Sequence, residues 1–243
     1  MLKLLINGVL LTGCKKCTDE QQTFNKVIDK MKERFLDLMT ERYPALSCCR
    51  DSVLKAYYIM EEVFTAGGTL FTCGNGGSQA DSDHIVGELS KGFLLKRELT
   101  ADQVSQFSKN LGEDASELCS KLQNGLPAMN LSSQPALATA YLNDVDPSMV
   151  LAQELFAMAR KGDAVLGITT SGNAKNVLNT FKTAGGIGVK RILLTGNRHG
   201  ICEKYADCVI DVPESETFRV QELHLPVYHT LCMMIEDHFY GKH

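Results

Sequence analysis

The chain has 243 residues, 44% hydrophobic and 22% charged, with 20 Gly and 6 Pro, a composition that excludes disordered, collagen-like and coiled-coil classes. No apolar run approaches the roughly 18 residues of a membrane helix. A formal net charge of −4 and a pI near 5.9 argue against a basic nucleic-acid surface, so neither membrane nor nucleic acid is expected as a partner.

At the N-terminus, Leu11-Thr12-Gly13-Cys14 looks like a lipoprotein cleavage site, but the basic region before it is one lysine and Asn7-Gly8 interrupts the apolar run. The expectation is an uncleaved, cytoplasmic protein. Cys14 and Cys17 form a single C-x-x-C with no second pair at zinc-finger spacing. The nine cysteines, an odd number scattered through apolar segments such as Phe71-Thr72-Cys73, read as reduced core residues.

From Thr18 to about residue 66 the pattern is helical: Phe24, Val27, Ile28, Met31 and Phe35, then Leu54, Tyr57, Met60 and Val63 beyond a break at Tyr43-Pro44. Residues 67–214 change texture. Short apolar runs bounded by Gly, Asn or Ser occur at Thr69–Cys73, Pro127–Leu131, Ala164–Thr169, Arg191–Thr195 and Cys208–Val212. Helical patterns separate several of them, such as Val177, Leu178 and Phe181 before Gly185-Gly186. This alternation predicts an α/β fold with a parallel sheet covered on both faces.

Residues 98–125 predict two short helices, the first opening with a capping box, Thr100 to Gln103. Their stripes, Val104, Phe107 and Leu111, then Leu118, Cys119 and Leu122, predict a hairpin packed on the core, ahead of a lid or subunit contact. Residues 215–240 read as one long helix, kinked by Pro226. The whole of 1–243 is expected to form one domain.

Three stretches carry chemistry. Cys73-Gly74-Asn75-Gly76-Gly77-Ser78 follows a predicted strand and opens a helix, so backbone and free amides can approach an anion. By itself it reads first as a tight strand-to-helix turn. Ile168-Thr169-Thr170-Ser171-Gly172-Asn173 repeats that placement with three hydroxyls, and is otherwise a helix cap. Two such loops at the carboxyl ends of parallel strands point to a phosphorylated or polar small ligand. Third, His84 and Glu88 share a helix face, as do Gln221 and His229 with Leu225 between them. That set suits a zinc-like site or an acid and base for proton transfer. Taken singly, His84/Glu88 is a solvated pair and His229 a satisfied buried histidine.

Asn75 to Ser78 followed by His84 and Glu88, Thr170-Ser171-Gly172-Asn173, and Arg219-Val220-Gln221-Glu222-Leu223-His224 ending at His229 together resemble the phosphoheptose isomerases, sugar isomerase (SIS) domain proteins. The resemblance covers about residues 20–240. It implies a three-layer α/β/α fold around a five-stranded parallel sheet, a homotetramer with sites at subunit boundaries, and interconversion of sedoheptulose 7-phosphate and D-glycero-D-manno-heptose 7-phosphate. It also implies a divalent metal, commonly zinc, on His84, Glu88, Gln221 and His229. Glu88 and His229 match the acid/base pair. Substrate contacts match Asn75, Gly76, Gly77, Ser78, Asn143, Asp144, Thr169, Thr170 and Ser171, with Glu88 and Gln221.

Three departures bear on the substrate. Ala174 stands where the family often has a phosphate-binding serine, Phe218 replaces a smaller or acidic residue, and the 98–125 insertion is longer than in compact members. The rival class is a non-catalytic SIS protein that senses sugar phosphates or binds proteins as a tetramer. An isomerase of another sugar phosphate is the nearer alternative. Having both Glu88 and His229 favours the enzyme.

Overall fold

The computed structural model describes residues 33–242 and the backbone of 5–6 and 9–10. The Leu11-Thr12-Gly13-Cys14 stretch, Cys17 and the expected helical positions Phe24 to Met31 lie outside the described residues. Leu5–Ile6 (β1) and Val9–Leu10 (β2) pair antiparallel. Residues 33–42 are helical (α1). Pro44 then fixes the start of a single 3-10 stretch, Pro44–Cys49, where the sequence shows its break, and Arg50–Thr65 (α2) continues.

The core is a five-stranded parallel sheet in the order β4-β3-β5-β6-β7. Its strands are Leu70–Cys73 (β3), Ala128–Asn130 (β4), Ala164–Thr169 (β5), Lys190–Gly196 (β6) and Cys208–Val212 (β7). The helices are Gly77–Ser90 (α3), Ala101–Leu111 (α4), Ala115–Lys121 (α5), Pro135–Asp144 (α6), Val150–Met158 (α7), Lys175–Ile187 (α8) and Thr217–Tyr240 (α9).

Strand side chains alternate between two cores, as the pleat requires. Leu70, Ala164, Leu166, Ile168, Ile192, Leu194 and Ile210 pack under α1, α2, α3 and α9. Phe71, Cys73, Val165 and Leu193 pack under α7 and α8. Burial on both faces explains why these strands read as unbroken apolar runs. Each fully buried Leu or Ile contributes about 1.5–3 kcal/mol.

Strand order fixes where a ligand can sit. From β3 the chain crosses through α3 to β4 on one side, whereas from β5 it crosses through α8 to β6 on the other. The gap between the carboxyl ends of β3 and β5 is therefore the topological switch point, where open α/β sheets leave a crevice.

Two expectations change. Helix α8 does not stop before Gly185-Gly186; it runs through them to Ile187 and ends on Gly188 with φ +77°. Tertiary packing through Phe181 and Ala184 outweighs the weak helix propensity of the glycines. The 98–125 hairpin is not laid on the core. Its capping box forms, Gln103 N on Thr100 Oγ1 and Thr100 N on Gln103 Oε1. Yet α4 buries no residue, and Val104, Leu111, Leu118 and Leu122 stay 38–44% exposed. Helices α4 and α5 lie chiefly against each other and the turn between them.

His224 lies on the inner face of α9, fully buried, and burial pushes its pKa down to about 4 against a smaller opposing effect of the Thr195 backbone. The unfolded chain therefore takes up a proton between pH 6.5 and 4 that the folded chain refuses, so this contribution is complete above 6.5 and lost as pH falls toward 4. Glu154, buried with its pKa raised to about 7, slopes the other way. Comparing wild type with His224→Leu cancels it. Urea unfolding at about pH 7 and about pH 5 should show wild type losing about 2 kcal/mol more than the variant. A pH-independent difference would contradict a buried neutral imidazole.

Candidate active site

Two loops build one wall of the crevice. After β3, Gly76 adopts φ +54°, which costs an L side chain but not glycine, and α3 starts at the next residue. A Cβ placed on Gly77 would lie 2.5 Å from Gln221 Nε2, so glycine is what lets the α9 amide reach the loop. After β5, Thr169 and Thr170 reach the same space. A cavity of about 390 Å³ lies between, lined by Asn75 to Ser78, Thr169, Thr170, Thr217 and Gln221, with Ala174 also on its wall. That volume lies within the range of small-molecule sites. The amides of Asn75 and Asn176 bond reciprocally at 3.1 and 2.8 Å and tie the two loops together.

Not every expected residue faces this cavity. Ser171 Oγ accepts from the Asn173 backbone N–H at 3.2 Å in a local turn that leaves its own O–H to donate. Asn143 and Asp144 sit at the exposed end of α6, where Asn143 Nδ2 donates to Asp144 Oδ1. None of the three lines the loop cavity.

The second part of the site is the seam between α3 and α9, which run side by side in the same direction from Gly77/Gln221 to His84/Tyr228. His84 Nε2 lies 3.1 Å from Glu88 Oε1 and His84 Nδ1 3.1 Å from the Tyr228 hydroxyl, which donates to Asp81 Oδ1. The His229 ring stands edge-on to His84, centroids 5.0 Å apart, and against Phe93 at 5.3 Å. His229 also borders an apolar cavity of about 370 Å³ with Phe93, Leu94, Leu225 and Pro226.

The seam gathers groups that can carry protons, with the Tyr228 hydroxyl between Asp81 and His84 and His84 Nε2 facing the Glu88 carboxylate. The Glu88 side chain is 14% exposed, and its buried Oε2, which makes no hydrogen bond, lies 3.5 Å from Lys91 Nζ. Nor is His229 a satisfied core histidine, since Nε2 is buried without a hydrogen-bond partner. Burial, then His84, lowers the His229 pKa, with Glu88 opposing, so the ring is neutral at pH 7. Burial raises Asp81, opposed by Tyr228 and His84.

The structure thus brings His84, Glu88 and His229 together but leaves Gln221 about 12 Å from His229 along the helix. Two imidazoles, a carboxylate and an amide are a chemically suitable donor set for zinc, and His229 Nε2 is buried without a hydrogen-bond partner. Among the described residues, however, no three His, Cys, Asp or Glu side chains are closed around a metal position.

Asp81, Tyr228, Asn176 and Phe93 were not among the residues the sequence singled out. For Asp81 a signal existed, since it shares a face with His84 and Glu88 at i, i+3 and i+7.

Such loops at a parallel-sheet switch point, with a titratable helix seam beside them, are the architecture of a sugar isomerase domain; the SIS domain family matches residues 128–234. More closely, the chain is 31% identical over 212 residues to a phosphoheptose isomerase of Helicobacter pylori, covering 87% of this chain and 97% of that one. It is also 31% identical over 223 residues to that of Aliarcobacter butzleri, covering 92% and 95%. Among solved structures it is similar to phosphoheptose isomerase GmhA of Neisseria gonorrhoeae, TM-score 0.61 at 26% identity over 88% of this chain and 99% of that one. The Francisella tularensis phosphoheptose isomerase gives TM-score 0.66 at 25% identity over 87% and 98%. The chain belongs to the phosphoheptose isomerase family.

Gly77→Ala tests the link between loop and helix. The clash falls on the tip of a flexible side chain, so the fold should survive while Gln221 is pushed from the cavity. Calorimetric titration with a sugar phosphate should show binding weakened by about 1.5–3 kcal/mol, one hydrogen bond to a charged group. Unchanged affinity would remove Gln221 from the binding wall.

Proposed function

We propose that this chain is an aldose–ketose isomerase that converts sedoheptulose 7-phosphate to D-glycero-D-manno-heptose 7-phosphate through an enediol. The observation that carries the reading is the meeting, at the α3–α9 seam, of the largely buried Glu88 carboxylate with His229, whose Nε2 is buried without a hydrogen-bond partner. The reaction moves a proton between C1 and C2 and another between their oxygens, which takes a carboxylate over carbon and a titratable group near oxygen. Glu88 Oε2 takes the carbon proton and returns it at the neighbouring carbon. His229, neutral through burial, gives its imidazole N–H proton to the carbonyl oxygen as the enediol forms and takes the proton of the neighbouring hydroxyl as the enediol collapses, so the ring ends as it began. A module that only binds sugar phosphates needs neither group.

Phosphate lies far from the reacting carbons and supplies binding energy that orients the sugar. Asn75, Gly76, Gly77, Ser78, Thr169 and Thr170 provide that hold, with α3 presenting free amides at its N-terminus. Ser171, Asn143, Asp144 and Gln221 complete the substrate contacts in this reading. Ala174 withholds a hydroxyl from the cavity wall, so the backbone amides and the two threonines carry more of the phosphate's charge.

His84, Glu88 and His229, which meet at the seam, would hold a divalent metal, zinc by the chemistry of the set, with Gln221, two turns away on the same helix, reaching it only from a neighbouring subunit; the metal would polarise the substrate oxygens. The active form in this reading is a homotetramer with sites at subunit boundaries. Exposed Leu94 and Leu225 beside His229, at 61% and 39%, support a subunit contact there. No described helix is long and apolar enough to cross a membrane, which agrees with a cytoplasmic enzyme.

The test is incubation with C5 to C7 ketose phosphates, followed by NMR, on a sample sized by light scattering and assayed before and after chelation. The expected outcome is an aldose from sedoheptulose 7-phosphate, made by the oligomer and lost on chelation. Binding without any aldose would favour a sensor, and an active monomer would contradict sites shared between subunits.

A further inference from the structure

Glu236 and Arg97 form an ion pair at the far end of the seam, with side chains 1% and 0% exposed. The Glu236 carboxylate accepts four hydrogen bonds. Oε1 takes Phe93 N at 2.7 Å and Arg97 Nε at 2.9 Å, and Oε2 takes Leu94 N at 2.7 Å and Leu95 N at 3.1 Å. Arg97 turns both Nη atoms to the end of α3, with Nη2 on Glu88 O at 3.0 Å and Nη1 on Leu89 O at 2.7 Å. Its guanidinium lies 4.8 Å from the centre of the Tyr240 ring.

We propose that Glu236 and Arg97 are positioning residues that set the distance between Glu88 and His229. This rests on the isomerase reading above. Arg97 fills the open carbonyls of the α3 C-terminus, where a cation is also favoured by the helix dipole, and so fixes the backbone that carries the Glu88 carboxylate. Glu236 fixes the strap 93–95, and through it the Phe93 ring that packs against His229. One carboxylate, two helical turns after His229 on the same helix, thereby braces both proton-transfer groups. Net stability does not account for the pair, because a buried ion pair recovers little beyond the desolvation of its two charges. Geometry does: the planar fork of Arg97 holds two successive carbonyls and the carboxylate at once, which a lysine cannot do.

Two variants test this. Arg97→Lys keeps the charge facing Glu236 and loses the fork. Phe93→Leu keeps the backbone donor to Glu236 and removes the ring beside His229. Cooperative melting establishes that each is folded, and Phe93→Leu decides alone if Arg97→Lys does not fold. In folded protein, kcat should fall at least about tenfold, while KM for sedoheptulose 7-phosphate and the affinity for inorganic phosphate stay within about twofold, because the phosphate loops lie at the other end of α3. Wild-type kcat in the folded variants would overturn the positioning role, as would kcat and phosphate affinity falling together, the pattern of general loosening. Absence of turnover in the wild type would overturn the isomerase reading itself.

Discussion

Everything at the site depends on α3 and α9 running side by side, because each helix carries only part of the chemistry. Helix α3 leaves the end of β3 and brings the loop Asn75 to Ser78, then His84 and Glu88, down one side. Helix α9 brings Gln221 to the loop and Tyr228 and His229 to the lower seam. Their pairing is held at three levels. Glycine at 77 admits Gln221 at the top, the Asp81–Tyr228–His84 chain joins them in the middle, and the Arg97–Glu236 pair closes the bottom. Val220, Val227, Leu231 and Ile235 bury the rest of α9 against the same core as Ile85 and Leu89 of α3.

That arrangement separates holding from chemistry. The loop cavity is lined by amides, hydroxyls and backbone at a helix N-terminus, a surface for an anion that stays put. The seam is titratable, and there burial lowers His229 and raises Asp81. Groups whose protonation is tuned away from bulk values beside an anion-binding loop suit a reaction that moves protons along a phosphorylated chain.

The sheet and both loops were legible in the sequence because their signals are local. Ala164–Thr169 and Cys208–Val212 match their strands end to end, since apolar runs buried on both faces are bounded by polar punctuation. The i, i+4 spacing of His84 and Glu88 likewise became a contact. What pairs across the fold was not legible: Tyr228 meets Asp81 over 147 positions and Arg97 meets Glu236 over 139, and no periodicity names a partner. The α4–α5 stripes misled for a related reason. Amphipathicity says that a face is apolar, not which surface covers it, and here much of both stripes stays open to solvent.

The central claim is that Glu88 works as the base at a site whose binding surface lies elsewhere. Glu88→Gln keeps the shape and the hydrogen-bonding reach of the side chain and removes only its capacity to accept a proton as a carboxylate. Turnover of sedoheptulose 7-phosphate by this variant, measured beside its affinity for the same sugar phosphate, tests the claim directly. The account predicts that isomerisation is abolished while sugar-phosphate affinity is largely retained. Turnover near the wild-type rate would contradict it.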